Sequence, residues 1–380
     1  MPPLPRPPRS PINLSAALGR RAVVIGAGSF GTAVAVLLAR GGLRTTLQTR
    51  TPEQAQRLSE DRMNHEYLAG VELPRELRIE HVSDGVARAD YVFLAVPSSR
   101  MRTVIGALQQ SGLSSKAAVV SLAKGLVPPD GTPPIQLLRE RFGPARVAVL
   151  GGPAHAAEMV RDGAGLVAAS SDEQLATTLS QVFIRAGVVC EQSNDPVGVE
   201  LAGAAKNAAA LASGATEAQG LNAAGAAAGH IFAEVWRWAE AQGARPESMI
   251  GLAGTGDLVA TALARESRNR RAGELLARGV LATDIPATIG HAVEALESAP
   301  LLAKAMTAAG LEAPVNTALA ALIEGTLPLD EWVAIVRTTV PPPARWRAPV
   351  RRGFWRRLRE RVRALFGRRH ALPSGEPAGS

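Results

Sequence analysis

The run Ala22-Val-Val-Ile25 leads directly into Gly26-Ala-Gly28-Ser-Phe-Gly31, and an apolar stretch without charge then continues to Ala39. A Gly-x-Gly-x-x-Gly hexapeptide is a weak signal alone, because glycine-rich turns are common. Between a β-like run and a helical pattern it is far more restrictive. Gly26 then permits a tight turn, Gly28 lets backbone approach a pyrophosphate, and Gly31 lets helix and strand pack closely. The unpaired amides at the helix start suit the anion. The chain is expected to begin its folded part as a strand–turn–helix that binds a dinucleotide.

The second strand should end near Thr49, where an acid often grips the ribose hydroxyls of NAD. Residues 44–50 contain no acid, and Arg50 stands there instead. A guanidinium can pair with a 2′-phosphate and stack on adenine. NADP(H) is therefore the preferred cofactor and NAD(H) remains allowed; a plain exposed arginine is the other explanation.

Short apolar runs recur at Thr45–Gln48, Tyr91–Ala95, Ala117–Ser121, Val147–Leu150 and Gly165–Ala169. Helical patterns such as Phe30–Arg40, Met101–Gln110 and Ile135–Arg141 lie between them. That alternation predicts an α/β domain with a parallel sheet wrapped by helices. After about Asn194 alanine and leucine dominate, and an all-α domain is expected. The predicted organisation is a Pro-rich disordered extension over 1–20, a dinucleotide-binding domain over 21–194 and a helical domain over 195–338. A Pro-rich linker with a basic tail follows over 339–380.

Net charge of +8 suggests a basic protein, but residues 351–369 hold nine arginines against Glu360. The rest is balanced, at 33 basic and 33 acidic residues. Charge therefore gives no argument for a nucleic-acid-coating surface, and nucleic acid is not an expected partner. Phe354, Trp355, Leu358, Val362, Leu365 and Phe366 recur at helical spacing among those arginines, the pattern of a basic amphipathic helix suited to an anionic membrane surface. Cys190 is the only cysteine, which excludes an intramolecular disulfide and fits a cytoplasmic protein. The six histidines lack metal-ligand spacing, so no metal is expected. The first twenty residues carry six prolines and no apolar core, unlike a signal peptide.

Only four of the 42 basic residues are lysines: Lys116, Lys124, Lys206 and Lys304. A lysine can release and regain a proton when buried, which an arginine cannot. Lys206 sits in an alanine-rich helical pattern, in Gly198-Val-Glu-Leu-Ala-Gly-Ala-Ala-Lys206-Asn207. Asp257 is expected in a loop beside Gly254 and Gly256. A carboxylate near a buried ammonium would hold it protonated, and the pair could donate a proton to an oxyanion. Ser267-Arg268-Asn269 supplies a hydroxyl cap, a cation and an amide at a helix start, suited to phosphate. A salt bridge and a helix cap account for the same residues equally well on residue chemistry alone.

Seven blocks in order together resemble the bacterial NAD(P)-dependent glycerol-3-phosphate dehydrogenase family over roughly residues 21–335. They are Gly26–Thr32, Asn64-His-Glu-Tyr-Leu-Ala-Gly-Val-Glu-Leu-Pro74, Ala123-Lys-Gly125, Gly152-Pro-Ala-His-Ala-Ala-Glu158, Gly198–Asn207, Leu252-Ala-Gly-Thr-Gly-Asp-Leu258 and Ser267-Arg-Asn-Arg-Arg271. The resemblance implies a Rossmann-type domain followed by an all-α domain, a two-domain architecture like that of 6-phosphogluconate dehydrogenase, and a homodimer. It implies reduction of dihydroxyacetone phosphate to sn-glycerol 3-phosphate, which feeds phospholipid synthesis. Lys206 would exchange the proton, Asp257 would orient and charge-balance it, and Lys124 would add positive potential. Gly152, Asn207, Ser267, Arg268 and Asn269 would join them around the substrate. Ser29, Phe30, Arg50, Lys124, Ala156, Arg268 and Glu294 match cofactor-contacting positions, beside Gly26, Gly28 and Gly31.

The chain departs from the pattern at four places. Ala154-His155 replaces a Ser or Thr followed by an aromatic, Ala164-Gly165 replaces a Pro-Thr pair, Ala202 replaces a glycine, and Ala295 replaces the glycine after Glu294. A lost hydroxyl contact at Ala154 would weaken substrate binding by about 1–2 kcal/mol. Two other functions fit parts of the pattern: a ketopantoate or β-hydroxy-acid reductase, and an NADP-binding paralogue serving as a membrane-associated sensor or scaffold.

Overall fold

Consecutive Val, Ile and Leu without polar interruption suit strands covered on both faces. Four such strands form the middle of the sheet in the computed structural model, which describes residues 18–264 and 266–340. The extension up to residue 17 and the basic tail over 351–369 lie outside the described residues.

Among the described residues ten strands form in chain order: β1 Arg21–Ile25, β2 Arg44–Thr49, β3 Met63–Asn64, β4 Leu68–Glu72, β5 Arg78–His81, β6 Tyr91–Leu94, β7 Ala118–Ser121, β8 Val147–Gly151, β9 Gly165–Ala169 and β10 Val189–Ser193. Eight make one sheet in the order β10-β9-β8-β7-β6-β1-β2-β5, and β3 pairs with β4 as a hairpin. The order reverses between β1 and β6, so the carboxyl edge there is the crevice where this kind of sheet binds ligands. The Gly26 turn, the residues after Leu94 and the Lys124 segment all leave from that edge.

Six of the eight strands are parallel, as the alternation predicts, but β9 and β10 run the other way. The helix between β8 and β9 explains the reversal. Ala156–Arg161 has only six residues, or about 9 Å, against about 16 Å for a five-residue strand. The helix alone does not span the length of a strand, and β9 starts at the edge where β8 ended, antiparallel to it. Strands β5 and β10, unlike the central ones, have no apolar run to announce them. Both are edge strands: no residue of β5 is fully buried, and in β10 only Cys190 is.

Successive side chains on β1 point to opposite faces: Val23 and Ile25 join one core, Ala22 and Val24 the other. The first core continues without a break into the helical half through Leu201, Ala205 and Ala208. These belong to helix Pro196–Thr216, 21 residues long and buried along nearly its whole length. Asp195 caps it, accepting from the Gly198 amide at 2.8 Å, and also holds the Arg245 amide at 2.7 Å and the Ser248 hydroxyl at 2.8 Å.

Small residues let other helices come close to this one. Helix Arg268–Ala277 crosses it backbone to backbone at Gly214 and Gly273. A methyl group at Gly214 would collide with the Arg270 carbonyl, and one at Gly273 with the Leu211 carbonyl. Arg270 clasps Glu217 beside the crossing, with Nη2 at 2.7 Å from Oε1. Gly273→Val should therefore lower unfolding free energy by about 1–3 kcal/mol or more, because the obstacle is backbone. Urea unfolding of the two proteins would measure it, and an unchanged midpoint would contradict the close crossing.

Candidate active site

Each glycine of the first turn has the surroundings its spacing predicts. Gly26 has φ +112°, and a Cβ there would strike the Ala95 carbonyl. A Cβ on Gly31 would strike the Gly26 carbonyl and come within 2.7 Å of Ala95 Cβ. Gly28 has nothing within 4 Å of a built Cβ, so that side of the turn is open to a ligand. Helix Ser29–Arg40 starts there without a side-chain cap, leaving its first amides available to an anion. These observations fit a dinucleotide pyrophosphate.

The turn has a brace that residue spacing did not reveal. Asn64 is 2% exposed, and its Nδ2 donates to the Ala27 carbonyl and to Thr32 Oγ1, both at 2.9 Å. It comes from the β3–β4 hairpin, 37 residues from Ala27. Its place in the Asn64–Pro74 block was the available signal, but the block alone said nothing of its partner.

Arg50 directly follows β2 and is exposed, at the strand end where the ribose of a dinucleotide would lie. Its carbonyl lies 3.1 Å from His81 Nε2. On the other side of the turn, Phe30 and Ala156 pack on the same core together with Ala154 and Ala95. Ala154 thus lies among apolar neighbours. His155 starts the short helix at half-exposure, 3.7 Å from Glu158 Oε2.

Lys124, Lys206 and Asp257 converge from three separate elements. Lys124 follows β7, and its Nζ donates to Asp257 Oδ2 at 2.6 Å and to the Gly152 carbonyl at 3.1 Å. The same ammonium sits 5.5 Å from the centre of the Phe30 ring, which ties the cluster to the glycine turn. Lys206 comes from the middle of helix Pro196–Thr216. Its Nζ lies 3.5 Å from Asp257 Oδ1 and donates to Thr261 Oγ1 at 3.2 Å. Asp257 is thus shared, and its shorter bond goes to Lys124 rather than to Lys206.

Asp257 does not lie in a loop. A wide turn closed by the Gly256 amide on the Gly251 carbonyl at 3.0 Å runs straight into helix Asp257–Leu263, which Asp257 opens. Gly254 is needed in that turn, because a methyl would overlap the Met249 carbonyl. Being helical also puts Thr261 one turn from Asp257, where its hydroxyl reaches both Asp257 Oδ1, at 3.4 Å, and Lys206. Spacing in a loop could not have suggested that link.

Asp257 is 1% exposed and Lys206 7%, so their charges interact with little water between them. Burial, then the like charge of Lys124, brings the Lys206 ammonium down to about 8, with Asp257 and Glu294 acting in the other direction. Burial alone would push the Asp257 carboxyl up, but the ammoniums of Lys124 and Lys206 outweigh it and hold it below the usual carboxylate range.

Asn207, beside Lys206, organises the next ring of residues. Its Nδ2 donates to the Lys124 carbonyl at 3.2 Å and to Glu294 Oε2 at 2.9 Å. Its Oδ1 accepts from Asn269 Nδ2 at 2.8 Å, and Asn269 Oδ1 accepts from the Ala295 amide at 3.1 Å. Ser267 caps helix Arg268–Ala277, accepting from the Arg270 amide at 3.4 Å. Arg268 is exposed and donates to the Ala292 carbonyl at 3.1 Å. Gly152 has φ +106°, and a Cβ there would overlap the Gly165 carbonyl. Lys124 therefore rests against bare backbone.

A glycine-rich turn on a parallel sheet, joined through Lys124 to a buried amine on an adjoining helical half, defines a dinucleotide-dependent dehydrogenase. The chain belongs to the NAD-dependent glycerol-3-phosphate dehydrogenase family: the model of that family's N-terminus matches residues 21–176 and that of its C-terminus residues 195–334. Glycerol-3-phosphate dehydrogenase [NAD(P)+] of Deinococcus radiodurans is 40% identical over 306 residues, covering 80% of this chain and 90% of that protein. The Chlorobium luteolum protein of the same name is 35% identical over 329 residues, covering 85% and 98%. The crystal structure of glycerol-3-phosphate dehydrogenase from Coxiella burnetii superposes with a TM-score of 0.79 at 26% identity, over 84% of this chain and 99% of that one.

Replacing Asn64 by alanine leaves the turn unbraced and the Ala27 carbonyl without this donor. The dissociation constant for NADPH should rise about five- to thirtyfold, equivalent to one or two lost hydrogen bonds. Fluorescence titration would show it, and unchanged affinity would mean the turn holds its shape unaided.

Proposed function

We propose that this chain reduces dihydroxyacetone phosphate to sn-glycerol 3-phosphate, using NADPH in preference to NADH. The observation that carries the reading is the buried Lys206 amine, held by Asp257 and Thr261 within a chain whose relatives carry that enzyme's name. The cofactor preference rests on Arg50, a cation where an NAD site often has an acid.

Gly26, Gly28, Ser29, Phe30 and Gly31 hold the dinucleotide in this reading, with Arg50, Ala156, Arg268 and Glu294 along its length. When bound, the reduced nicotinamide supplies two electrons, as hydride, to the ketone carbon. Lys206 Nζ gives its proton to the ketone oxygen as charge develops there, and is left as a neutral amine. Oxidation runs the same steps backwards, with the amine as acceptor. Lys124 adds positive potential, and Asp257 balances both ammoniums. The Arg268 guanidinium and the amides opening helix Arg268–Ala277 take the phosphate, while Asn207, Asn269 and Gly152 line the rest. A prealigned charged donor of this kind stabilises an oxyanion by about 3–4 kcal/mol.

A donor whose ammonium titrates at about 8 is mostly charged at neutral pH yet transfers its proton readily. Turnover in the reductive direction should therefore fall as pH rises through that value, while oxidation gains the neutral base it needs. A pH–rate profile in each direction checks the sign. Lys206→Ala and Lys206→Arg should both lose a hundredfold or more in kcat, about the loss of one key donor. The arginine keeps the charge but does not release its proton. Tight NADPH binding without turnover in the unaltered chain would instead favour the sensor reading. A ketopantoate-type reductase fits less well, since Ser267, Arg268 and Asn269 suit a phosphate-bearing substrate.

Supply of glycerol 3-phosphate to phospholipid synthesis in the cytoplasm completes the reading, with a homodimer as the working unit. Light scattering at twice the 39.6 kDa chain mass would support the dimer. Among the described residues no helix is long and apolar enough to cross a membrane. Peripheral contact is assigned to the arginine-rich amphipathic pattern over 351–369. The full chain should co-sediment with anionic phospholipid vesicles and a version ending at residue 345 should not; equal binding would remove the tail from the account.

A further inference from the structure

Glu200 is a carboxylic acid with no assigned task, on the same helix as Lys206. It is 2% exposed, and six residues separate it from Lys206, about 9 Å along the helix axis. Its two oxygens are divided between two places in the chain. Oε1 accepts from Ser121 Oγ at 3.0 Å and Oε2 accepts from the Ile135 amide at 2.8 Å. Ser121 ends β7, and Ile135 lies in the first turn of helix Pro134–Phe142. The segment between them carries Lys124.

One carboxyl group thus clamps that segment where it leaves the sheet and where it becomes helical. Ser121 Oγ also accepts from the Ala123 amide at 3.4 Å, immediately before Lys124. The same helix touches the segment a third time, through Asn207 Nδ2 on the Lys124 carbonyl at 3.2 Å. Helix Pro196–Thr216 therefore carries one amine of the cluster and fixes the backbone that carries the other.

An acid is a costly choice for this place if packing alone mattered. Burial raises the Glu200 carboxyl to about 8 despite the Ile135 amide and the Ser121 hydroxyl, which pull it down. Apolar residues of similar volume often replace buried charged groups without loss of stability. An apolar side chain would offer neither clamp.

We propose that Glu200 is a positioning residue, which holds Lys124 in register with Lys206 by clamping both ends of the Lys124 segment. This rests on the roles given above to Lys124 and Lys206. It touches no reacting atom and acts through the backbone.

The chain's four lysines make the test direct, because acylation of each can be followed separately by peptide mass spectrometry. Glu200→Met offers no oxygen acceptor to either partner and so loses both clamps. Ser121→Ala removes one of the two partners while leaving Glu200 in place. In the full chain, each change should speed acylation of Lys124 about fivefold or more, the scale of at least one hydrogen bond. Lys206 should stay as protected as before, with Lys116 and Lys304 unchanged. Reduction of dihydroxyacetone phosphate should lose about tenfold in kcat with the NADPH dissociation constant within about twofold, and the double variant should be no worse than the poorer single one.

Wild-type Lys124 reactivity in folded Glu200→Met and Ser121→Ala would overturn the proposal. So would a parallel rise at Lys206, which would signal general loosening. If the unaltered chain does not reduce dihydroxyacetone phosphate, the substrate reading fails while the acylation pattern still decides the role of Glu200.

Discussion

The contact on which the site depends is the Asp257 carboxylate, shared between an ammonium from the sheet and one from the helices. The sheet half alone would bring the Lys124 ammonium without its counter-charge, which the helical half supplies through Asp257, and an uncompensated buried charge is strongly destabilising. Joined, the three groups carry a net single positive charge where a phosphorylated ketone would bring negative charge. The requirement for charge balance therefore favours the same arrangement as the proposed proton transfer. Thr261 refines it by bonding both Asp257 and Lys206.

Local features were legible in the sequence and relations between distant segments were not. The three glycines of the first turn behave as their spacing implies, because their roles follow from backbone geometry within six residues. The central strands were legible because they are apolar throughout. Edge strands β5 and β10 were not, since solvent covers part of each and the pattern fades. The reversal of β9 depends on the length of a six-residue helix relative to a strand, which no hydrophobic pattern expresses. Seven ordered blocks named residues that the fold brings together around the amines, yet the shorter bond from Asp257 to Lys124 is a matter of three-dimensional distance. Asn64 on the Ala27 carbonyl is the same kind of relation, between partners 37 residues apart.

The departures from the family pattern also acquire physical meaning. Ala154 packs with Phe30 and Ala156 on an apolar core, so a hydroxyl there would need a partner from the ligand side. Gly165 is placed so that a Cβ would approach Leu252 Cδ2 at 3.2 Å, while its own carbonyl limits Gly152. The change to glycine therefore fits a narrow gap between β9 and the turn preceding Asp257. The wall beside Lys124 is built from main chain, whose shape is insensitive to side-chain substitution elsewhere.

The crossing at Gly214 and Gly273 has a bearing on how such a protein can diverge. When two side chains meet, growth of one can be offset by shrinkage of the other, and the pair drifts together. Here each glycine meets the partner helix's carbonyls and amides, which no substitution can shorten. Neither position can be rescued by change at the other, so the only escape is to move a whole helix, and with it Ser267, Arg268 and Asn269. The path by which this fold could acquire a different substrate thus leads through the loops around the crossing, not through the crossing itself.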